Sequence, residues 1–358
     1  MPLDHYVTLG RSGLRVSPLC LGTMTFGEDW GWGTSVPDSR AILARFLERG
    51  GNFIDTANMY TKGHSEKIIG DHLSGAGRRD RVVIATKFTG NLYRHDPNGG
   101  GANRKAIVQQ CEESLRRLRT DYIDLYWMHA WDQFTPIEET MRALDDLVTA
   151  GKVRYLGVSD TPAWKVTQAN LMARMHGWTP FVGLQIEYSL LRRTVEGELI
   201  PMAEELGLGV TPWSPLASGV LTGKFTRDGE NRSDRGPFAN QYLTEETFKV
   251  VDILVDAAQR LDSTPARIAL HWVQNRPGVA STIIGARRLE QLDDNLASLD
   301  LVVPDEIIAA LDRATTPTLP FPCDFVRAMS GFYGNGTNIN GLQTEVFAMS
   351  PAGDSDRY

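Results

Sequence analysis

Tyr122-Ile123-Asp124-Leu125-Tyr126-Trp127-Met128-His129 is an apolar run that ends on an imidazole. Two earlier runs end the same way on an ionisable side chain: Asn52-Phe53-Ile54-Asp55, and Arg81-Val82-Val83-Ile84-Ala85-Thr86-Lys87. Runs of this length between turn signals read as buried strands, and patterns of helical period lie between them. Extending the reading gives strands at 18–22, 52–55, 81–87, 122–129, 153–159, 182–186, 209–213 and 280–285. Helical stretches fall at 38–49, 64–73, 103–118, 136–149, 161–175, 194–206, 244–260, 264–275 and 288–297. Asp38, Ser65, Thr135-Pro136 and Thr264-Pro265 carry start signals, while Gly50-Gly51, Gly151 and Gly207 mark stops. Alternating strands and helices predict a parallel sheet, and eight units predict an α/β fold of the (β/α)8 TIM barrel type. In such barrels the strand C-termini share one mouth, where chemistry is done. Asp55, Tyr60, Lys87 and His129 would meet there as carboxylate, phenol, amine and imidazole, a set suited to moving a proton.

The ends of the chain and its loops complete the layout. A hairpin, 6–9 with 14–16, opens the chain and is placed to plug the barrel bottom. One domain is expected over 1–358, with the barrel at about 17–300 and an extended C-terminal tail at about 315–358, a peripheral wrap or a partly disordered segment. Long loops at the mouth are expected at 88–102 and 214–243, where substrate choice and cofactor closure usually reside.

Apolar residues at 42% supply a large core, and a net charge of −7 offers no basic field for nucleic acid or an anionic membrane. Cys20, Cys111 and Cys323 are widely spaced and form no C-x-x-C pair, which suits a reducing compartment. The polar start and the lack of an apolar run of ~20 residues imply neither signal peptide nor membrane span. The expected location is the cytoplasm, as a monomer or homo-oligomer, with the sequons at Asn231 and Asn335 read as chance matches. His64, Glu66 and His129 lack metal-ligand spacing, so no metal is expected.

The order Asp55, Tyr60, Lys87, His129 resembles the catalytic tetrad of the aldo-keto reductases. Supporting stretches resemble that superfamily over about residues 6–300: Leu21-Gly22-Thr23-Met24, Asp55-Thr56-Ala57-Asn58-Met59-Tyr60, Gly63-His64-Ser65-Glu66-Lys67-Ile68-Ile69-Gly70, Ala85-Thr86-Lys87, Gly157-Val158-Ser159-Asp160 and Gly285-Ala286-Arg287-Arg288. Within it, Gly157 to Trp164 is most similar to the bacterial and fungal aryl-alcohol dehydrogenase type. The resemblance implies NADPH-dependent reduction of an aldehyde or ketone, reversible as alcohol oxidation. Tyr60 would be the general acid/base, Lys87 would lower its pKa toward the working range, Asp55 would hold Lys87, and His129 would orient the substrate oxygen.

No strand–G-x-G-x-x-G–helix fingerprint is present, since Gly75 and Gly77 follow a helix. In a barrel the phosphate site is expected after the last strands. The resemblance implies NADP(H) held by Gly285, Arg287 (at the 2′-phosphate), Gln291, Asp294 and Asn295, with Gly22, Thr23 and Met24 at the first strand. Ser159, Asp160 and Gln185 would meet the carboxamide, Trp213 would stack on the ring, and Ser214, Leu216, Gly219 and Lys224 would pass over the pyrophosphate. Asp160 stands where the family commonly has Asn, and an ionised carboxylate cannot donate to the carboxamide oxygen. Trp30, Trp32, Phe88 and Trp131 would give an aromatic rim suited to aryl or bulky apolar carbonyls. Two rival readings remain: a slow or non-catalytic NADP-binding regulator resembling potassium-channel β-subunits, and a Schiff-base enzyme using Lys87.

Overall fold

In the computed structural model, which describes residues 2–74, 78–227 and 236–357, the eight expected strands pair in parallel behind a short antiparallel hairpin. The hairpin is β1 (Val7–Thr8) and β2 (Arg15–Val16). The barrel strands are β3 (Leu19–Gly22), β4 (Phe53–Asp55), β5 (Val83–Phe88), β6 (Ile123–Met128), β7 (Val153–Ser159), β8 (Phe181–Glu187), β9 (Gly209–Trp213) and β10 (Thr282–Ile284). They run β10, β3, then in order to β9, and Val210 closes the ring through Gly278 and Ala280, both at 2.9 Å. The fold is a (β/α)8 TIM barrel.

Helices cover the outside: α1 (Val36–Glu48), α2 (His64–Leu73), α3 (Arg104–Leu118), α4 (Ile137–Thr149), α5 (Ala163–His176), α6 (Leu199–Leu206), α7 (Gly236–Asn240), α8 (Glu245–Arg260), α9 (Pro265–Gln274), α10 (Leu289–Leu296) and α11 (Asp305–Ala314). Their starts are chemically marked. Ser35, Asn103, Thr244 and Thr264 each accept a backbone N–H of the first turn through the side chain, an arrangement worth ~0.5–2 kcal/mol per helix. The stretch 194–206 splits at Gly197 into a 3-10 turn and α6. Helix α11, absent from the sequence reading, packs Ile307 and Leu311 into the core.

Strand parity divides the barrel into two compartments, because alternate side chains point to opposite faces. Ile54, Ile84, Tyr126, Met128, Leu156 and Leu184 point outward and build the layer under the helices. The other parity points inward. At the bottom it contributes Cys20, Phe53, Val83, Ala85, Leu125, Trp127 and Ile283, capped by Leu9, Leu14 and Val16 of the hairpin segment. One step up on the same strands stand Asp55 and Lys87, with His129 next after β6. The interior is therefore dry below and ionisable above. Trp127 fills the boundary, fully buried, and two glycines make room for it: a methyl at Gly157 would overlap its ring, and one at Gly183 would come within 2.8 Å of its Cη2.

The tail carries secondary structure of its own. It holds α12 (Cys323–Ala328), α13 (Ser330–Gly334) and a hairpin of β11 (Asn338–Ile339) with β12 (Leu342–Gln343). It meets the barrel through buried Leu319 and through Arg327, which donates to Glu196 O at 2.9 Å. The Asn335 side chain accepts from Phe347 N and Ser350 Oγ, both at 3.0 Å. Gly75, Gly77 and Asn231 lie outside the described residues. Among the described residues no helix is long and apolar enough to cross a membrane.

Overpacking a filled core costs about 1–3 kcal/mol. Gly157→Ala is expected to lower the unfolding free energy by that much, read as a fall in the urea midpoint, and Trp127→Phe in the same chain to recover part of it. An unchanged midpoint in the single variant would mean that the ring does not fill this boundary.

Candidate active site

Each reactive side chain is delivered by a strand end. Asp55 and Lys87 end inward-pointing series on β4 and β5, and His129 follows β6 with its amide donating to Phe88 O at 3.3 Å. Tyr60 comes instead from a 3-10 turn, Tyr60–Gly63, in which Thr61 and Lys62 take left-handed φ of 45° and 60°. Such backbone costs ~1–3 kcal/mol at a non-glycine residue and needs local support. Here Thr61 Oγ1 donates to Phe26 O at 2.7 Å and accepts from Ser65 N at 3.1 Å.

The four groups converge on the Lys87 ammonium, which has no solvent exposure. Its donors go to Asp55 Oδ1, to Thr56 O at 2.8 Å and to Tyr60 Oη at 3.0 Å. A lysine ammonium has three donors, so all are used. The other Asp55 oxygen accepts from Gln185 Nε2 at 3.0 Å. The His129 ring stands edge-on to Tyr60, with centroids 6.0 Å apart.

The electrostatics follow from burial and from one fixed charge. Burial alone would lower the Lys87 pKa, but Asp55 and Tyr60 outweigh it and hold the amine charged, above its ordinary range. Tyr60 is pushed up by burial, and Lys87 offsets only part of that rise. The expected net lowering toward neutrality is thus not found: burial outweighs the Lys87 charge and the phenol shifts upward. His129 is driven down to about 3 by burial and by the Lys87 charge, so it is a neutral imidazole at ordinary pH. Asp160 is solvent-exposed at the mouth yet crowded by protein atoms, and this partial desolvation raises it to about 6, although the indole N–H of Trp213 donates to its Oδ1 at 3.1 Å. Its φ of 41° lies in the left-handed region, which aspartate and asparagine tolerate best after glycine.

The residues expected around a nicotinamide cofactor lie near or beyond the ends of β3, β7, β8, β9 and β10. Ser159 Oγ is buried with no partner at full hydrogen-bond geometry, although it lies close enough to Asp160 to favour the ionised carboxylate, which Trp213 also meets. Beyond β9, Ser214 (φ 52°) accepts from Ser218 N at 3.2 Å, and Gly219 N donates to Leu216 O at 2.9 Å. Lys224 Nζ lies 3.0 Å from where a Cβ on Gly219 would stand. Gly285 is exposed with open space beside it, and α10 begins without a side-chain cap. Gln291 Oε1 accepts from Arg287 N at 2.9 Å, and Asn295 Nδ2 donates to Gly285 O at 3.2 Å. Asp294 is committed to Arg267 at 2.8 Å and to Thr264 at 3.2 Å. Of the first-strand residues, Gly22 pairs with Asp55 across the sheet and Met24 is half-buried, while Thr23 Oγ1 donates to Asp55 O at 2.9 Å. An orphaned buried hydroxyl at one end and an open glycine beside arginine at the other fit a dinucleotide between them.

Among the mouth aromatics, Trp30 and Trp32 are half-buried with centroids 5.5 Å apart, and Trp30 meets Tyr60 edge-on at 6.5 Å. Trp131 packs edge-on with Trp164 at 5.5 Å, and Lys165 Nζ lies 4.5 Å from the Trp164 ring centre. Phe88 does not join them. It shares the outward parity of Ile84 and Thr86, is fully buried, and packs on Tyr126 at 4.9 Å. Sequence reasoning also missed the Gln185–Asp55 bond and a second buried ion pair, Glu66 with Arg117 at 2.6 Å. The charged Glu66 within the apolar face of α2 was the available signal for the latter.

Comparison with known proteins agrees with this geometry. The profile of the Aldo/keto reductase family matches residues 18–316. Norsolorinic acid reductase of Aspergillus flavus is 37% identical over 332 residues, covering 90% of this chain and 84% of that protein. Aryl-alcohol dehydrogenase [NADP(+)] of Phanerodontia chrysosporium is 35% identical over 346 residues, covering 92% and 88%. The uncharacterized oxidoreductase YrpG of Bacillus subtilis is 39% identical over 321 residues, covering 86% and 95%. The chain belongs to the aldo/keto reductase family.

A neutral His129 has a direct spectroscopic consequence. With 13C-labelled histidine, its ring resonance is expected to stay constant between pH 8 and about pH 4.5, because its pKa near 3 lies below that window. A titration midpoint near 6.5 would contradict the burial argument.

Proposed function

We propose that this aldo/keto reductase family member reduces aldehydes or ketones with NADPH, and in reverse oxidises the alcohols, using Tyr60 as the acid and base. The observation that carries the reading is the fully buried Lys87 ammonium, hydrogen-bonded to both Asp55 and Tyr60 Oη. When bound, the nicotinamide supplies or takes up the hydride. The substrate oxygen gains negative charge as it is reduced and takes the Tyr60 proton. Lys87, 3.0 Å away, then stabilises the phenolate left behind. Neutral His129 offers a hydrogen bond at the same oxygen without adding a charge. In the alcohol direction the phenolate accepts the proton. A Schiff base at Lys87 is disfavoured, because its amine is protonated and all three donors are engaged.

Arg287, Gly285, Gln291 and Asn295 would hold the phosphate end of NADP(H), with Gly219 and Lys224 over the pyrophosphate. Ser159 and Asp160 would hold the carboxamide beside Trp213. Gln185 donates to Asp55, which leaves its carbonyl oxygen to accept from the carboxamide. The Trp30–Tyr60 and Trp131–Trp164 contacts favour aryl or bulky apolar carbonyls, in line with relatives named for aryl alcohols and norsolorinic acid. An aqueous, reducing compartment suits the buried thiols of Cys20 and Cys111.

Tyr60→Phe should retain NADPH binding, read by fluorescence, and lose about 10²–10⁴-fold in kcat with an aryl aldehyde. Wild type that binds NADPH but turns over no carbonyl would favour the regulatory reading instead.

Asp160 gives a separate expectation, since a carboxylate favours the cationic oxidised ring over the neutral reduced one. It is neutral below about pH 6 and ionised above. The affinity ratio of NADP+ to NADPH should therefore rise at least about threefold between pH 5 and pH 8 in wild type and stay level in Asp160→Asn. Equal pH dependence in both proteins would remove Asp160 from that site.

A further inference from the structure

Apart from the reaction centre, one side-chain hydrogen bond ties the turn that carries Tyr60 to the loop that carries the mouth tryptophans. Asp29 Oδ2 and His64 Nδ1 stand 2.7 Å apart. His64 opens α2, four residues after Tyr60, and Asp29 immediately precedes Trp30. The base of the loop is closed by backbone bonds: Gly27 N donates to Thr34 O at 3.0 Å, and Thr34 N to Thr25 O at 2.7 Å. Thr61 Oγ1, from the Tyr60 turn, donates to Phe26 O at 2.7 Å. These bonds fix the two ends, and at the tip Gly31 N donates to Glu28 O at 2.9 Å, so that the Asp29–His64 contact adds the side-chain link between the tip and the Tyr60 turn.

Gly27 makes the pair sterically possible. It has a φ of 95°, and a Cβ there would come within 2.9 Å of Asp29 Oδ2 and 3.1 Å of His64 Nδ1. The two side chains are 36% and 34% exposed, a setting in which an ion pair adds little to overall stability. Its consequence is positional. One residue beyond Asp29, the Trp30 ring meets Tyr60 edge-on at 6.5 Å and leans on Trp32 at 5.5 Å.

We infer that Asp29 and His64 are positioning residues that hold Trp30 and Trp32 over Tyr60, and that they thereby set a preference for planar aryl carbonyls over small alkyl ones. The inference rests on the carbonyl-reductase reading and deepens it. An aryl ring gains from a tryptophan face only when the two are held in register, and each such contact corresponds to about three- to tenfold in affinity. A small alkyl aldehyde reaches Tyr60 without touching that face.

The test compares benzaldehyde with propanal in the full chain, using NADPH, for Asp29→Leu, His64→Leu and the double variant. The expected result is a rise of about tenfold in KM for benzaldehyde, kcat within about twofold, and propanal kinetics unchanged. The double variant should be no worse than either single one, because the two side chains act as a unit. Asp29→Asn keeps an acceptor for the imidazole N–H and should retain most of the wild-type KM. Equal losses on both aldehydes, additive effects, or an unchanged KM for benzaldehyde would overturn the inference. Quenching of tryptophan emission by benzaldehyde reads the same affinity without turnover. Should wild type reduce neither aldehyde, the carbonyl-reductase reading fails, and equal quenching in wild type and the leucine variants would sink the positioning role as well.

Discussion

A charged amine inside a closed barrel is the constraint on which this structure turns. Moving an ammonium from water into a dry interior costs of order 20 kcal/mol in the idealised limit and several after relaxation, so it persists only with near-complete partnering. Lys87 meets that condition through three acceptors on two adjacent segments: a carboxylate, a main-chain carbonyl and a phenol. Gln185, from the opposite side of the barrel, holds the second carboxylate oxygen. Removing Asp55 strands the ammonium, and removing a neutral partner leaves a buried donor or acceptor unpaired, which is why strand β4, the Tyr60 turn and strand β8 must arrive in register. Burial, reinforced by the same charge, keeps His129 neutral, and that charge partly offsets the effect of burial on Tyr60.

The barrel interior makes this possible by separating two environments on the same strands. Below Trp127 the space is filled by apolar side chains, including those of the hairpin segment. Above it stand groups that titrate or hydrogen-bond. Gly157 and Gly183 belong to this boundary as much as the tryptophan does, since their missing side chains are the volume it occupies. Chemistry and stability thus meet at a single layer.

Much of this was legible in the chain, for physical reasons. Asp55, Lys87 and His129 stand out because ionisable side chains rarely end buried parallel strands. The barrel followed from short apolar runs alternating with stretches of helical period. Phe88 was misplaced at the rim, although parity counted from Lys87 puts it outside the barrel. The Gln185–Asp55 bond spans 130 residues and leaves no local pattern. Helix α11 was overlooked because it follows the last barrel strand, where the strand–helix rhythm gives no expectation. The direction of the Tyr60 shift depends on how dry the site is, which no motif records. The Asp29–His64 pair is likewise invisible until the fold brings two loops together.

The central claim, that Lys87 and Asp55 act as one buried charged unit, is tested most directly by a double-mutant cycle on unfolding free energy. Lys87→Met and Asp55→Asn are each expected to cost about 3–5 kcal/mol, because each leaves the other group uncompensated. The double variant is expected to lose far less than the sum, with a coupling of at least about 2 kcal/mol. Additive losses, or single variants as stable as wild type, would contradict the account.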